Sequence, residues 1–473
     1  MPANVRASLG LAPGQPGRAA DVLAARIRLL AALQGEGYAL ATVSEPLAIL
    51  HPGTRTLDIT FRVAAGPRVD LGPIRFAGLK TIRAPFLRRH ITLHPGEQFT
   101  PAALDAARRS LAALPIVSSV TVQLATTTDA QGRLPVTFAL AERRAHVVTL
   151  SADYSTDLGV GLTAAWEDRN LFGNAEDLRI AAGTHFGGTA TDGLGGSLDA
   201  IFTKPDFLAR DQSLTLSLAT LDRNLVPYDQ IAVIARAGLS RPLTPHLIGA
   251  VAIAAEQEAI TQDGTVRDAT LVGVPLSVAY DSTDSPFAPT RGFRASAIVT
   301  PTDVFTPPTR QFIIAEASGS TYLDLSRFAG ERPGRSVLAL RGYIGSIVGA
   351  SLDSIPADKR FYGGGSGTIR GYKYLSIGPT FADGTIEGGA SIDAGTIELR
   401  QRVWGKIGIA SFVDFGQVAA GSAPFAASLR VGAGFGLRYF TSFGPLRVDI
   451  AVPLRRLPGG DAFELYIGLG EAF

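Results

Sequence analysis

A glycine-rich run that carries one arginine is the part of this sequence most able to do chemistry. The run is Phe361-Tyr-Gly-Gly-Gly-Ser-Gly-Thr-Ile-Arg-Gly-Tyr372, and it places Arg370 in an otherwise apolar region. It lies in a stretch without a clear strand pattern, from about Gly349 to Ala390, with short alternating strands on both sides. A long loop of this kind between barrel strands is expected to fold into the polar interior of the barrel, where the guanidinium group needs a counter-charge.

Residue types that catalyse reactions are present, but their spacing does not match that of enzyme sites. His90 and His94 are four residues apart, but Ile91 stands where a metalloprotease helix has glutamate. Ser366 lies in the glycine run, but Thr368 occupies the second glycine position of a nucleophile elbow. The run also lacks the Gly-Lys-Ser/Thr of a phosphate-binding loop. We therefore predict that the chain is not an enzyme, and that it has no cofactor, no metal site and no small-molecule substrate.

The composition favours a β-barrel that spans a membrane. Of the 473 residues, 18% are charged, below the ~25% of soluble domains, and 53 are glycine. Mean hydropathy is +0.20, yet no run of 18 uncharged apolar residues is present, which argues against a transmembrane helix. The net charge of +2 argues against a nucleic-acid partner. With no cysteine, a disulfide framework and a thiolate metal site are excluded.

The first 144 residues differ in pattern and indicate two copies of an α/β repeat. Residues 68–144 predict the order β-α-α-β-β, and their second helix opens at Thr100-Pro101 with proline in the first helical position. Residues 1–67 predict only the second half of that order. The elements predicted there are a helix from Asp21 to Leu33 and strands near Tyr38–Leu50 and Thr56–Val63. An unrelated small α/β domain is the alternative.

The segment before this helix bears on export. Residues Met1 to Ala20 contain no apolar segment of signal-peptide length. An exported protein of this kind needs such a signal. We therefore expect that the natural protein has residues before this start, or that its start codon is misplaced.

From residue 145 to Phe473 the sequence predicts a sixteen-stranded antiparallel barrel. An even number of strands is what bacterial single-chain barrels have. The loop around Arg370 then joins strands eleven and twelve on the extracellular side. The predicted strands begin near residues 147, 159, 176, 194, 212, 229, 246, 268, 292, 310, 335, 391, 405, 427, 444 and 462.

Alternation within the last strands predicts which side chains face lipid. In the strand that begins near residue 444, Leu446, Val448 and Ile450 alternate with Arg447 and Asp449. Charges on one face only indicate a polar lumen. The alternative is a soluble β-sandwich, in which the charged face meets bulk water. In the last strand, Glu464 and Tyr466 are predicted to share the inner face. Its apolar stripe is predicted to end on a terminal aromatic residue; the members are Phe463, Leu465, Ile467, Leu469 and Phe473.

Two of these motifs resemble signatures of the BamA/TamA superfamily of outer-membrane assembly and transport proteins. Ile369-Arg370-Gly371-Tyr372 resembles its loop-six Arg-Gly-aromatic signature, and Phe412-Val-Asp414-Phe-Gly416 its strand-thirteen Phe-x-Asp-x-Gly partner. The resemblance covers about residue 21 to the end. Three further segments are most similar to the TamA branch, the outer-membrane subunits of translocation and assembly modules. They are Asp153-Tyr-Ser-Thr-Asp157, Trp166-Glu-Asp-Arg-Asn-Leu-Phe-Gly173 and Asp284-Ser-Pro-Phe-Ala-Pro-Thr-Arg-Gly292.

The resemblance implies a mainly β fold, in which a sixteen-stranded barrel in the bacterial outer membrane follows periplasmic POTRA repeats of β-α-α-β-β order. Residues 1–67 then form a partial POTRA repeat, residues 68–144 a complete one and residues 145–473 the barrel. Proteins of the TamA type have three repeats, so this chain departs from that pattern. The implied partners are the lipid bilayer, client outer-membrane proteins and an inner-membrane-anchored TamB-like protein that binds the POTRA region.

Two further predictions concern the interior and the closure of the barrel. Arg370 and Asp414 both face the lumen, so we expect them to pair and to hold the loop inside the barrel. Strands one and sixteen must meet to close the barrel, and Gly468 and Gly470 in strand sixteen weaken that ladder. A weak seam can open sideways and offer its edge to a client strand.

Three classes of function remain open from the sequence. The first is an assembly factor that inserts client barrels, such as autotransporters, through this lateral seam. The second is a two-partner-secretion-type pore that exports a polypeptide through the lumen, because such transporters share both signatures. The third is a passive porin or receptor, which would lack POTRA repeats and the Arg-Gly-Tyr loop.

Overall fold

The computed structural model describes all residues except 1–2, 156–157, 189–190, 192, 329 and 443. The end of the predicted Asp153–Asp157 motif therefore lies outside the described residues. The chain divides into two units. The first comprises Met1–Ala145 and Arg169–Glu176, and the second His146–Asp168 and Asp177–Phe473. No helix among the described residues is both long enough and apolar enough to cross a membrane.

The described part of the first unit contains four helices and seven strands. The helices are α1 (Ala3–Ala7), α2 (Ala19–Gly35), α3 (Ala84–Arg89) and α4 (Pro101–Ala112). The first four strands are β1 (Thr42–Val43), β2 (Leu47–His51), β3 (Thr56–Thr60) and β4 (Val63–Ala64). The other three are β5 (Leu71–Ala77), β6 (Val117–Leu124) and β7 (Leu134–Glu142).

The predicted β-α-α-β-β order is present in β5, α3, α4, β6 and β7. Strand β7 is central, parallel to β5 and antiparallel to β6. Helix α4 begins where predicted, because the Thr100 hydroxyl accepts a hydrogen bond from the Ala103 N–H and Pro101 fits the first helical position. Its buried face places Leu104 and Leu111 in a core with Phe138 of β7.

The predictions for the first 67 residues were partly wrong. Helix α1 was not predicted, although its Val5 is fully buried against Leu29 and Leu33 of α2. The strand predicted near Tyr38–Leu50 is two separate strands, β1 and β2, with Pro46 between them. Proline has no N–H to donate to a ladder, which explains the break. Strand β1 pairs with β4, and β2 pairs with β3.

Among the described residues, the second unit is an antiparallel barrel of seventeen strands, and its last strand neighbours its first in the strand order. The first nine are β8 (His146–Ser155), β9 (Gly159–Asp168), β10 (Asp177–Gly187), β11 (Gly195–Lys204), β12 (Ser213–Leu225), β13 (Tyr228–Thr244), β14 (Leu247–Gln262), β15 (Thr265–Gly273) and β16 (Leu276–Asp281). The others are β17 (Gly292–Val304), β18 (Arg310–Asp324), β19 (Ser336–Val348), β20 (Ser391–Trp404), β21 (Ile407–Ala419), β22 (Arg430–Thr441), β23 (Gly444–Pro453) and β24 (Glu464–Leu469).

The count differs from the predicted sixteen because one predicted strand is broken. Strands β15 and β16 both pair with β14 and β17, so they lie end to end in one position of the barrel. Val274 and Pro275 separate them, and Pro275 cannot donate to a ladder. Sixteen positions around the barrel are therefore filled by seventeen strands.

The two faces of the last strands are divided as predicted. In β23, Leu446, Val448 and Ile450 are exposed on the outer face, whereas Asp449 is fully buried on the inner face. In β24, Leu465, Ile467 and Leu469 are exposed, while Glu464 and Tyr466 are buried. An apolar outer face and a charged inner face are the pattern of a transmembrane barrel.

The prediction for Phe473 was wrong. Strand β24 ends at Leu469, so Gly470 lies beyond the strand in which it was predicted. The chain turns at Gly470, whose N–H donates to the Pro445 carbonyl oxygen at 2.7 Å. The Phe473 ring therefore does not continue the outer stripe of β24. It lies inside the barrel, 6.3 Å from the buried Tyr322 ring between centroids and 5.1 Å from the Arg400 guanidinium. Alternation predicts facing only while the strand continues.

In the first unit, a carboxylate at the end of β7 organises the loop after β5. Glu142 accepts hydrogen bonds from the N–H groups of Lys80 at 2.6 Å and Ile82 at 3.0 Å, and from the Thr81 hydroxyl at 2.7 Å. Partial burial raises the pKa of Glu142, but the hydrogen bonds outweigh burial and leave its pKa below the usual value. The ionised form thus stabilises this loop.

We predict that Glu142→Ala speeds amide hydrogen exchange at Lys80 to Ile82 by about tenfold near pH 7, because a hydrogen bond to a charged group contributes roughly 1.5–3 kcal/mol. The lowered pKa means that the stabilisation is present above about pH 4.3, the unfolded value, and is lost as the pH falls through the folded pKa. The difference between wild type and variant should therefore shrink in acid. Exchange measured by mass spectrometry tests this, with the exposed Glu45→Ala as control. Equal exchange in Glu142→Ala and wild type at pH 7 would contradict it.

Candidate functional site

The candidate site is built by the loop between β19 and β20, which folds into the barrel. The loop starts with two short 3-10 helices, Leu352–Ser354 and Ala357–Lys359. Apolar side chains on the loop then pack against the inner faces of the strands. The buried loop members of that cluster are Ile355, Phe361, Ile369, Tyr372, Ile377 and Ala390.

Arg370 is bound by Asp414 through three hydrogen bonds. Its Nε donates to Oδ2 at 2.7 Å and its Nη2 to Oδ1 at 3.0 Å, so the guanidinium and the carboxylate form a bidentate pair. The backbone N–H of Arg370 also donates to Oδ2, at 2.9 Å. Both side chains are removed from solvent, with 2% and 1% of their surface exposed. The sequence predicted this pair, and the structure brings the two residues together.

Two further carboxylates and one aromatic ring complete the surroundings of Arg370. Its Nη1 donates to Glu398 of β20 at 2.9 Å and to Asp449 of β23 at 3.1 Å. Its Cζ atom lies 3.3 Å from the centroid of the Phe412 ring, so the guanidinium also makes a cation–π contact. The aromatic residue and the aspartate of the predicted strand-thirteen motif therefore both contact the arginine.

The carboxylates that bind Arg370 are shared with two other buried arginines. Arg438 of β22 donates to Asp449 and to Glu471, and Arg400 of β20 donates to Glu398 at 2.7 Å. We call this group the lumenal arginine cluster; its members are Arg370, Arg400, Arg438, Glu398, Asp414, Asp449 and Glu471. Arg447 of β23 also pairs with Asp449 at 3.8 Å, so four positive charges face four negative charges at this buried site.

Gly371 and Tyr372 hold the loop backbone against the last three strands. The N–H of Gly371 donates to the Tyr466 hydroxyl of β24 at 3.0 Å, and that hydroxyl donates to the Tyr372 carbonyl oxygen at 3.2 Å. The Tyr372 hydroxyl donates to the carbonyl oxygen of Arg455 at 2.9 Å. Gly371 has φ +96°, a left-handed conformation that favours glycine, and a Cβ there would lie 2.8 Å from the Val452 carbonyl carbon.

The wall of the barrel also needs glycine where the loop lies against it. A Cβ on Gly432 of β22 would collide with the Arg370 carbonyl oxygen. Gly416 of the predicted motif lies beside Ile369, whose Cδ1 would be 3.0 Å from an added Cβ. The loop backbone therefore contacts the strand backbone directly at Gly432.

Sequence reasoning found part of this site. It placed Arg447, Asp449, Glu464 and Tyr466 on the inner face by alternation, but it did not connect them with Arg370. It missed Glu398, although alternation along β20 could have placed it inside. The other seam residues of the sequence prediction, Phe463, Leu465, Ile467, Gly468 and Leu469, lie on or beside β24, which neighbours β8 in the strand order.

The sequence matches a known protein family and is similar to a curated relative. The Omp85 superfamily domain matches residues 170–473. The outer membrane protein assembly factor BamA of Neisseria meningitidis serogroup B is 23% identical over an alignment of 508 positions. That alignment covers 92% of this chain and 60% of the relative, so the chain spans less than two thirds of the relative's length.

Solved structures share the fold at low sequence identity. BamA from Haemophilus ducreyi, in a form that lacks POTRA domains 1–3, aligns with a TM-score of 0.82 at 17% identity. The alignment covers 99% of this chain and 97% of that one. CdiB from Acinetobacter baumannii aligns with a TM-score of 0.57 at 14% identity, covering 99% of this chain and 86% of that one. CdiB from Escherichia coli gives 0.53 at 14% identity, covering 99% and 87%.

We predict that Arg370→Ala leaves a folded barrel but releases the loop. Removing the arginine leaves buried carboxylates with fewer partners, which typically costs about 3–5 kcal/mol. A cysteine in place of the buried Ile369 reports this, since the chain has no other cysteine. In that background Arg370→Ala should raise the rate of maleimide labelling on the order of a hundredfold, the equivalent of about 3 kcal/mol.

The matched control for Arg370→Ala is Lys373→Ala on the same loop. Lys373 forms a half-exposed pair with Asp461 at 3.2 Å, and such pairs contribute little. It should leave labelling unchanged. Slow labelling in both variants would show that the arginine cluster does not hold the loop.

The contact at Gly432 gives a second, independent prediction. Gly432→Ala should displace the loop and speed labelling at the same cysteine, because overpacking of this kind costs about 1–3 kcal/mol. Gly342→Ala in β19 is the control, since an added Cβ there has no atom within 4 Å. If the two alanine variants label at the same rate, the close approach at Gly432 does not position the loop.

Proposed function

Because this chain belongs to the Omp85 superfamily of outer-membrane β-barrel proteins, we propose that it is an assembly factor for the outer membrane. In this proposal it helps to insert client β-barrel proteins, such as autotransporters, through a lateral seam between β8 and β24. It is not an enzyme, in keeping with the non-enzymatic members of the superfamily. The relative from Neisseria meningitidis, an outer membrane protein assembly factor, supports the assignment.

The observation that carries this proposal is the exposure of β8. Every residue from Val148 to Tyr154 is exposed, on both faces of the strand, with Leu150 at 79%. The neighbouring β9 instead has buried residues at both of its ends and at Ala165. An accessible strand at the end of the barrel sequence is a template on which a client strand can pair.

The partner of β8 at the seam adds to this. Strand β24 has six residues and β8 has ten, so part of β8 extends beyond its neighbour. Gly468 lies in the middle of the short strand's second half and contributes no side-chain packing. A short, glycine-containing last strand is a weak closure for a barrel, and it supports opening at this place.

The α/β unit supports a periplasmic role. We propose that residues 68–144 are a complete POTRA repeat, that residues 1–67 are a partial one, and that the barrel begins at 145. The β-α-α-β-β order and the alignment of 99% of the chain with a BamA form that lacks POTRA domains 1–3 support this. A TamA-type specificity, with a TamB-like partner at this unit, extends the proposal on the sequence motifs alone.

A second candidate function is a two-partner-secretion-type pore that exports a polypeptide through the lumen. It is favoured by the fold shared with two CdiB structures. The buried loop around Arg370 argues against a lumen that is open at rest, because the loop would have to leave its buried ion pairs to clear a path.

We predict that a disulfide across the seam stops activity without unfolding the barrel. Cysteine pairs that combine Thr149 or Ser151 with Gly468 place thiols on β8 and β24, and those with Cα atoms within ~7 Å will form the bond. Under oxidation, client insertion into proteoliposomes should fall to background, and a reductant should restore it. Heat-modifiable migration on gels checks that the barrel remains folded.

The control pair for the seam is Ser296→Cys with Ser318→Cys. These serines face each other on β17 and β18, with their hydroxyl oxygens 2.8 Å apart, in a continuous ladder away from the seam. This disulfide should leave insertion unchanged. A fully oxidised seam pair that still inserts clients at the wild-type rate would rule out lateral opening and favour passage through the lumen.

A further inference from the structure

A second group of buried charges lies on the part of the barrel wall about half the strand order away from the lumenal arginine cluster. Glu256 and Glu258 are two residues apart on β14 and share its inner face. Gln230 of β13 lies beside them. Asp358 and Lys359, at the start of the loop, complete the group. Glu258 and Gln230 are each only 2% exposed.

The hydrogen bonds of this group leave several oxygens unused. The Lys359 ammonium lies 2.6 Å from Glu256 Oε2 and 2.6 Å from Asp358 Oδ2. The Gln230 amide donates to Glu258 Oε2 at 2.8 Å. Among the residues that the structure describes, none provides a hydrogen-bond partner for Glu258 Oε1, Asp358 Oδ1 or Gln230 Oε1, and all three atoms are buried.

We propose that this group binds a hard divalent cation, and that this cation is Ca²⁺. Three buried carboxyl groups share one ammonium, and burying acidic groups that outnumber their cations is costly. One oxygen from each of Glu256, Glu258 and Asp358 lies within 4.8 Å of the others. Oxygens at that separation can share an ion at the ~2.4 Å typical of calcium, which takes carboxylate and amide ligands in flexible geometry.

Two features of the surroundings fit a cation that enters from the lumen. Asp358 and Lys359 line a cavity of about 840 Å³, and Glu258 lines a second cavity of about 430 Å³. An ion bound by Glu256, Glu258 and Asp358 would connect the first residues of the loop to β14. The sequence indicated no metal site, because the residues that meet here are far apart in the chain. Lys359 and its partner Glu256, for example, are separated by 103 residues.

Calcium binding to the purified full-length protein in detergent tests the proposal. After EDTA treatment and its removal, calcium chloride should raise the thermal unfolding midpoint in a saturable way, as expected for a ligand that binds only the folded state. Titration calorimetry should give one calcium per chain. Glu258→Gln and Asp358→Asn should each weaken calcium binding at least tenfold.

Two further variants sharpen the test. Glu316→Gln is the matched control, since this carboxylate also faces the lumen but binds the Tyr343 hydroxyl at 2.7 Å, and it should bind calcium like wild type. Lys359→Gln should bind calcium more tightly, because the ammonium competes for the same oxygens.

Two results would overturn the proposal. One is the absence of saturable binding with calcium or magnesium chloride up to about 10 mM, tenfold above the weakest dissociation constants of extracellular calcium modules. The other is binding that persists at wild-type strength in both Glu258→Gln and Asp358→Asn, which would place the ion elsewhere. Asp358 is on the loop and Glu258 is on a strand. If one of the two variants fails to fold, calcium binding by the other variant still tests the proposal.

Discussion

The buried charge of Arg370 is the constraint on which the interior of this barrel depends. A guanidinium group with 2% of its surface exposed has lost its water, and the chain replaces that water with three carboxylates and the face of one aromatic ring. These partners come from β20, β21 and β23, so one side chain fixes the relative positions of three strands and of the loop. The same constraint explains the glycine residues of this region. The backbone of the loop must approach the wall closely enough for the arginine to reach its partners.

The loop is held at two places that differ in chemistry. Near its middle, Arg370 brings a positive charge to a wall with an excess of carboxylates. At its start, Lys359 does the same at β14, where it pairs with Glu256 at 2.6 Å. Phe361, Tyr362 and Ile377 of the same loop pack in apolar contacts. A segment fastened at both sides of the lumen divides the interior rather than lining it.

The sequence predicted the features that depend on local pattern. Alternation placed Leu446 outside and Asp449 inside, and the order of elements in residues 68–144 followed from periodicity and from the cap at Thr100. Features that depend on contacts distant in sequence were missed. Tyr466 was placed on the inner face, but its hydrogen bond to Gly371 joins residues 95 apart. Phe473 continues the spacing of an outer stripe, yet the turn after Leu469 takes it to Tyr322. The break at Pro275 is different, because proline is a local signal. It could have been used to predict two strands here, but the predicted count of sixteen did not take it into account.

The position of the loop has a consequence for the order in which the barrel folds. The loop precedes β20, and its arginine binds residues that follow it by 28, 44 and 79 positions in the chain. All of these partners belong to β20–β23. The loop and the four strands after it can therefore assemble into a sheet with its own buried core before β24 meets β8 and the barrel closes. Long-range closure of a barrel is slow because the entropy of a large loop is lost before its contacts form. A preassembled C-terminal sheet shortens the remaining search, and it places the loop inside before the barrel closes, so that no segment has to be threaded through a finished wall.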